Sequence, residues 1–300
     1  MTKPVLNLGR TLMMPKVSVV VSVFDNVRDF KFTLETILQQ TYKNYEVIVV
    51  DDGNPYPQKS VLREICLCDS RITLIENEKN KGLTLCLIQG VAVANGEYIA
   101  RIDNGDLMVP KHRLETQAHE LINNGYGIVG GEIEIIDVLN RSRFHSHISK
   151  KQSGLVDSLI SGDLFYHVCV MFSKSVYLKS GGYNKNLKTG QDNDLWPRIL
   201  QNSKGKNIPL VFAIAPMKHG SISVSKNNEQ IMRRVERIKT NKKNLGKIAF
   251  LWSLSQEYLK LILPIRVRVF ARYFKNMKFV GFIGRNDCKD LSSISAWYFR

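Results

Sequence analysis

The sequence of 300 residues predicts an α/β fold in which a doubly wound, mostly parallel sheet is flanked by helices. Two observations support this prediction. Short β-branched apolar runs, typical of strands buried on both faces, alternate with stretches whose apolar residues recur at helical spacing. Several runs also end abruptly in acidic residues, and ligands of such sheets bind outside the carboxyl ends of the strands.

The alternating elements lie in the first 125 residues. Strands are predicted at residues 17–24, 45–50, 72–75 and 97–102, and helices at 30–40, 59–68, 82–94 and 110–123. The dipeptide Asn95-Gly96 is a helix stop signal. Pro110 suits the first turn of a helix, where its missing N–H has no cost.

After Ile136 the alternation fails. The polar and basic residues 140–152 predict a loop, followed by a helix at 155–160 and a returning strand at 168–172. A second loop is predicted at 181–190 and a helix at 192–201, and the final quarter of the chain has apolar residues at helical spacing among many cations.

Composition and charge divide the chain into two parts. The sequence is 44% hydrophobic and 23% charged, which allows a sizeable core and excludes global disorder. The net charge of +16 is uneven, because residues 226–300 contain 17 basic and 5 acidic residues whereas the first 225 contain 26 and 22. We therefore predict a nearly neutral domain at 1–225 and a basic, helical extension at 226–300.

Cysteine usage and hydropathy indicate the compartment. The five cysteines are odd in number and their only close pair is C-x-C, so neither a zinc site nor a disulfide framework is predicted. Residues 1–16 lack the long apolar segment of a secretory signal, and no apolar run reaches ~18 residues. We expect a cytoplasmic protein without a transmembrane helix.

Three carboxylates follow the first two predicted strands. Asp25, Asp51 and Asp52 taken singly are explained as helix caps or turn residues. At one edge of a parallel sheet they would share a crevice and repel one another. A divalent cation with oxygen ligands would relieve that repulsion and could bind a diphosphate.

Three stretches resemble the family 2 glycosyltransferases, which have the GT-A fold. They are VSVVVSVFDN with LETILQQTYKNYEVIVVDDGNP, then NKGLTLCLIQGVAVANGEYIARIDNGDLMVPKHRLE, then GGYNKNLKTGQDNDLWPRIL with KHGSIS beyond it. They run in the family's order from about residue 16 to about residue 223. The resemblance implies a nucleotide-sugar half at about 16–125 and an acceptor half at about 126–225.

The resemblance also implies which residues bind the nucleotide-sugar. The strand end from Val23 to Asp25 would line the base and ribose, and Asp52 would contact the base. The donor-side residues that would lie near the sugar and ribose are Lys81, Gly82, Arg101 and Asp103.

The metal-binding element departs from the family pattern. The family has D-x-D or D-x-D-D at the end of the strand, whereas this chain has Asp103-Asn104-Gly105-Asp106, with glycine where the main metal-binding carboxylate is expected. Asp103 and Asp106 remain as ligands for Mn²⁺ or Mg²⁺, and His219 matches a family position near the diphosphate. The alternative is that Asn104-Gly105 is simply a turn with positive φ and no metal.

The later motif implies the catalytic base and the acceptor side. In the family's E-D-x-D-L pattern the first aspartate lies near the acceptor hydroxyl, and it corresponds to Asp192, with Gln191 replacing the glutamate. A carboxylate is needed there to take the hydroxyl proton as the new bond forms. Asp194 is expected to serve as favourable charge at a helix N-terminus. His167 and Trp196 are candidates on the acceptor side.

These assignments predict an inverting, metal-dependent transferase. It would move one sugar from a nucleotide-sugar, expected to be a UDP-sugar, to a saccharide on a polyprenyl diphosphate lipid during O-antigen, capsule or lipopolysaccharide synthesis. Two other classes stay open: a nucleic-acid-binding α/β protein, suggested by the charge alone, and a non-catalytic nucleotide-binding relative, suggested by Gly105.

The basic extension has its own predicted role. Its cations are interleaved with apolar and aromatic residues, as in helices that lie on an anionic membrane. A solvated helix face is the alternative, and no nucleic-acid motif is present, so no nucleic-acid partner is expected. We predict peripheral association with the inner face of the cell membrane, released by high salt.

Overall fold

The computed structural model describes residues 15–138, 141–146, 164–217, 247–262 and 277–283, with residues 231–232, 235–236, 238–239 and 294. Its first half is the predicted alternation. The elements are β1 (Val17–Val23), α1 (Val27–Leu38), β2 (Tyr45–Asp51), α2 (Gln58–Cys66), β3 (Ile72–Glu76), α3 (Leu83–Val93) and β4 (Tyr98–Arg101). Strand β1 pairs in parallel with both β2 and β4, and β2 pairs in parallel with β3.

The second half extends the same sheet. Its elements are β5 (Leu107–Met108), α4 (Arg113–Asn124), β6 (Tyr126–Asp137), β7 (Ser142–Ser146), β8 (Met171–Ser173), α5 (Lys174–Lys179), α6 (Gln191–Asn202), β9 (Lys204–Met217), α7 (Lys247–Ile262) and β10 (Met277–Phe282). The strand order is β10-β7-β6-β8-β4-β1-β2-β3, and β9 pairs with β5 and β6. Strand β8 is antiparallel to both its neighbours, β4 and β6. The parallel part of the sheet is therefore formed by β1 to β4, which come before β8 in the sequence.

Several predictions about the second half were wrong in detail. The predicted loop at 140–152 contains strand β7, which pairs with β6. Its basic residues occupy every second position of the strand, so they do not prevent pairing. The helix expected from residue 110 begins at Arg113, and the strand expected at 168–172 is a 3-10 turn followed by β8. The C-terminal part is not wholly helical, since β10 pairs with β7. The helix predicted at 155–160 lies outside the described residues.

The core lies on both faces of the sheet. Val19 and Val21 of β1 pack on the side of α1 with Phe30, while Val20 packs on the opposite side with Leu87 of α3. All five side chains are fully buried, and each contributes roughly 1.5–3 kcal/mol through loss of apolar surface. Because β1 pairs in parallel with both β2 and β4, the carboxyl ends of these three strands meet at one edge.

Candidate active site

The first two strands are tied together at this edge by Asn54. Its side-chain amide donates to the Val23 carbonyl at 3.0 Å and to Asp51 Oδ1 at 2.7 Å, and its Oδ1 accepts from the Asp25 N–H at 2.7 Å. Asp51 is fully buried and lies 3.9 Å from Lys59 Nζ. Asn54 was not singled out from the sequence, although an asparagine two residues after Asp52 is a common turn signal.

Asp52 joins the end of β2 to the start of α3. Its buried carboxylate accepts from the N–H of Lys81 at 2.6 Å and from the N–H of Gly82 at 3.0 Å. The next residue, Gly53, has φ of 78°, and a Cβ there would lie 2.3 Å from the Lys79 carbonyl carbon. This close approach requires glycine. The expected base-contacting residue and the expected sugar-side residues Lys81 and Gly82 are thus brought together.

Asp25 lies at the mouth of the same edge. It is exposed and has φ of 57°, and its Oδ1 accepts from the Asn26 N–H at 2.9 Å and from Gln58 Nε2 at 3.3 Å. Val23, the last residue of β1, is buried beneath it. The geometry leaves Asp25 accessible to a ligand at the carboxyl end of β1.

Arg101 is a buried cation at the end of β4. Its guanidinium donates to Asp103 Oδ1 at 2.6 Å, to the Ile102 carbonyl at 3.2 Å and to the Val20 carbonyl. Arg101 is inaccessible to solvent whereas the Asp103 side chain is 38% exposed. A charge-assisted bond of this kind is short and directional, so the buried arginine orients a carboxylate that faces the open edge.

A second contact of Arg101 reaches the later part of the chain. Arg101 Nε lies 3.4 Å from His167 Nε2, which is 2.9 Å from the Tyr183 hydroxyl. Burial and the Arg101 charge lower the pKa of His167 well below its usual value, so the imidazole is neutral. The ring of buried Trp196 lies 5.8 Å from that of His167. His167 and Trp196, the two residues predicted on the acceptor side, are therefore both buried. Through them α6 is packed against Arg101 at the end of β4.

The loop after β4 holds the two expected metal ligands. The Asp106 N–H donates to the Asp103 carbonyl at 3.1 Å, and burial together with the Asp103 charge raises the pKa of Asp106 well above its usual value. Arg113 lies behind this loop and donates to the Arg101 carbonyl at 2.7 Å. Burial lowers the pKa of Arg113 to about 10. Sequence reasoning missed Arg113, because an arginine in an amphipathic helix gives no signal of burial.

The carboxylates of this loop offer a divalent cation only a sparse set of protein ligands. Among the described residues no three His, Cys, Asp or Glu side chains are grouped so that they could hold a metal. Mg²⁺-type sites need only one or two carboxylates when phosphate oxygens and water complete the shell. Asp103 and Asp106 lie on one loop, where the Asp106 N–H donates to the Asp103 carbonyl, and they are the carboxylates available for such a pair. His219 lies outside the described residues.

The predicted base lies in the first turn of α6. Asp192 is half-buried, and Asn193 Nδ2 lies 3.5 Å from its Oδ1. Asp194 instead pairs with Arg198 at 2.5 Å, four residues on, in the same helix. Asp194 lies in the first turn of α6, where its charge interacts favourably with the helix dipole. Its pair with Arg198 is a second stabilising contact that was not predicted.

Comparison with known proteins decides the family. The sequence profile described as Glycosyl transferase family 2 matches residues 18–180, more than half of the chain. The chain belongs to glycosyltransferase family 2. It is 32% identical over 199 residues to the putative glycosyltransferase EpsE of Bacillus subtilis, covering 65% of this chain and 70% of that protein. Identity to the O-antigen biosynthesis glycosyltransferase WbnJ of Escherichia coli is 27%, with coverage of 61% and 71%.

Solved structures support the GT-A fold of this glycosyltransferase. The mannosyltransferase PcManGT from Pyrobaculum calidifontis, in complex with GDP-Man and Mn²⁺, aligns with a TM-score of 0.62 at 18% identity over 96% of this chain and 82% of its own. S. aureus TarS 1–349 in complex with UDP-GlcNAc also aligns with a TM-score of 0.62, at 16% identity, over 81% and 71%. Within the described residues, no helix combines the length and the apolar character needed to cross a membrane.

Proposed function

We propose that this glycosyltransferase transfers one sugar, with inversion, from a UDP-sugar to a lipid-linked saccharide acceptor in surface-polysaccharide synthesis. The observation that supports it best is the edge where β1, β2 and β4 end, which gathers Asp25, Asp52 and Asp103. The O-antigen relative WbnJ supports the pathway class, and TarS with UDP-GlcNAc supports the donor class. Base, ribose and sugar would extend along this edge.

Each donor-side residue then has a task. Asp25 and Asp52, at the ends of β1 and β2, would bind the base and ribose. Asp103, oriented by Arg101, would bind the ribose and sugar. Asp103 and Asp106 would hold Mn²⁺ or Mg²⁺. The family resemblance implies that His219 would lie near the diphosphate. When bound, the cation would neutralise charge on the departing nucleoside diphosphate.

Asp192 is the proposed general base. Its carboxylate would accept the proton of the acceptor hydroxyl while that oxygen forms its bond to the anomeric carbon. The bond from that carbon to the diphosphate oxygen breaks on the opposite side, which inverts the configuration. Asp192 suits this task because it lies partly exposed in the first turn of α6.

Helix α7 supports attachment to a membrane. Large apolar side chains point outward from it at helical spacing, while Ser253 and Glu257 are buried on the other side. The exposed residues are Ile248, Leu251, Trp252, Leu259 and Ile262. An apolar stripe in a segment with a net charge of +12 fits an anionic bilayer, where the lipid-linked acceptor resides.

A panel of nucleotide-sugars tests the proposal. Purified full-length protein is incubated with each donor and with membrane extract as acceptor, and released nucleotide is measured with and without Mn²⁺. Metal-dependent UDP release from one UDP-sugar, with the opposite anomeric configuration in the product by NMR, is the expected result. Turnover that is unchanged by EDTA would exclude the metal, and retention in the product would exclude the single displacement.

A further inference from the structure

A chain of hydrogen bonds runs inward from the donor side of the site. Asp103 Oδ1 accepts from the guanidinium of Arg101, and Arg101 Nε lies 3.4 Å from Nε2 of His167. The same imidazole nitrogen lies 2.9 Å from the hydroxyl of Tyr183. The last three of these residues are no more than 9% exposed. The chain therefore joins the end of β4 to the loop that precedes α6, below the surface of the protein.

The arginine fixes which groups donate in this chain. A guanidinium has no acceptor atom, so Nε2 of His167 accepts from Arg101. Burial and the Arg101 charge keep the pKa of His167 low, so the imidazole has one proton and carries it on Nδ1. The Tyr183 hydroxyl can then only donate to Nε2. The direction of this hydroxyl is therefore determined by the end of β4.

Two carboxylates of the site lie near the same hydroxyl. Burial raises the pKa of Tyr183, and the charges of Asp192 and Asp103 raise it further. Such charge effects weaken with distance, so Tyr183 is close enough to respond to both groups. Tyr183 thus lies near the proposed base as well as near the proposed donor-binding group.

The backbone at Tyr183 is held in place by Tyr177. The Tyr183 N–H donates to the Tyr177 hydroxyl at 3.1 Å, and the Gly182 N–H donates to the Tyr177 carbonyl at 3.0 Å. Gly182 has φ of 63°, and a Cβ there would lie 2.9 Å from the Tyr177 hydroxyl, so this close approach requires glycine. With the backbone fixed on α5, the Tyr183 hydroxyl connects this turn to the end of β4.

We propose that Tyr183 is a positioning residue that sets the place of the base Asp192 relative to the bound donor. Its hydrogen bond to His167 holds the loop before α6 against the end of β4. The proposal rests on the function proposed above and deepens it, since the family resemblance assigned no task to Tyr183. A displacement of about 1 Å in a catalytic group can lower turnover about 10²-fold, so a contact made away from the reacting atoms is sufficient.

A simpler role for Tyr183 must be separated from this one. A buried, hydrogen-bonded tyrosine stabilises the fold wherever it lies, and that role would leave the kcat of the folded protein unchanged. A positioning residue instead affects kcat. Donor binding should be unaffected, because Arg101 keeps its bonds to Asp103 and to the backbone when the tyrosine hydroxyl is removed. The experiment therefore measures kcat, nucleotide affinity and stability separately.

The decisive variant is Tyr183→Phe in the full chain, which removes one oxygen atom. With the UDP-sugar identified by the panel and membrane extract as acceptor, kcat for UDP release should fall about 10–10²-fold. UDP affinity by calorimetry should be that of wild type. Tyr45→Phe is the matched control, because Tyr45 is also buried and its hydroxyl donates to the Ile37 carbonyl at 3.1 Å. It should lower the urea midpoint similarly and retain the wild-type kcat.

Changing the other partner of the contact gives a second test. His167→Leu removes the acceptor of the Tyr183 hydroxyl, whereas His167→Gln keeps an acceptor oxygen, so the leucine variant should lose more kcat than the glutamine variant. If the two residues act through one contact, adding Tyr183→Phe to His167→Leu should lower kcat no further.

The outcomes separate this proposal from the function on which it rests. A wild-type kcat in Tyr183→Phe would overturn the assignment of Tyr183 alone. So would a double variant in which the two losses of kcat multiply, since the residues would then act independently. A wild-type protein that releases no UDP from any UDP-sugar would overturn the proposed function, and the role of Tyr183 with it.

Discussion

Arg101 and Asp103 form an ion pair of 2.6 Å in which the cation is buried and the carboxylate faces the open edge of the sheet. The arginine is further held by backbone carbonyls on either side. A buried guanidinium is tolerated because its donors are satisfied. The pair therefore stabilises the fold and also fixes the direction of a proposed donor-binding group.

Removing the carboxylate of this pair should affect stability and donor binding together. Asp103→Asn leaves the buried Arg101 without its charged acceptor, and we expect a loss of about 1.5–3 kcal/mol in the free energy of unfolding. Urea denaturation measures it, and UDP affinity should fall in parallel. Asp69→Asn is the matched control, because its partner Arg71 is 33% exposed whereas Arg101 is fully buried, and that pair should contribute less than about 1 kcal/mol. Equal losses would contradict the special role of Arg101.

Replacing the proposed base should lower turnover without affecting the donor. We expect Asp192→Asn to reduce kcat by about 10²–10⁴-fold, measured as UDP release, with UDP affinity unchanged. Asp194→Asn should lose only its pair with Arg198, about 0.3–0.5 kcal/mol of stability, and retain its activity. An Asp192→Asn enzyme as active as wild type would rule out this base.

The buried histidine makes stability depend on pH in a defined direction. The pKa of His167 is lowered in the folded protein from 6.5 by burial and by Arg101, so the unfolded chain binds this proton first as the pH falls. The stabilisation is complete above about pH 6.5 and decreases below it, by about 1 kcal/mol between pH 7 and pH 5.5.

The free energy of unfolding is measured by urea denaturation at about pH 7 and about pH 5.5. In His167→Gln the decrease between these two values should be smaller by the contribution of His167. His119→Gln is the control, since His119 is exposed on α4 and should leave the wild-type profile intact. If His167→Gln has the same pH profile as wild type, the imidazole is not held neutral by the fold.

The outward face of α7 should determine membrane binding. Leu251 and Trp252 are 64% and 63% exposed on this face. Replacing both by serine should weaken binding to vesicles containing phosphatidylglycerol by at least about tenfold. The reason is that each apolar side chain contributes on the order of 1.5 kcal/mol or more when it is buried. Leu67→Ser, at an 84% exposed site after α2, should bind as wild type. Binding that is insensitive to salt would contradict the part assigned to the cations.

The first half of the fold could be predicted from the sequence because its signals are local. The run VSVVVSV is apolar on both faces of a strand, so it predicts a buried central strand, and it is β1. The acidic residues that follow β2 and β4 were predictable for the same reason. Strands β6 and β9 were not predicted, since their pairing depends on residues far away in the chain.

By itself, the sequence determined the order of the elements in the first half of the chain, the family resemblance and the aspartates at the strand ends, because periodicity and motifs are properties of neighbouring residues. Only the tertiary structure decided which partners these groups have. It placed His167 beside Arg101, buried Arg113 behind the loop and set the Tyr183 hydroxyl against His167. These contacts join distant segments, and their geometry follows from how the sheet and helices pack.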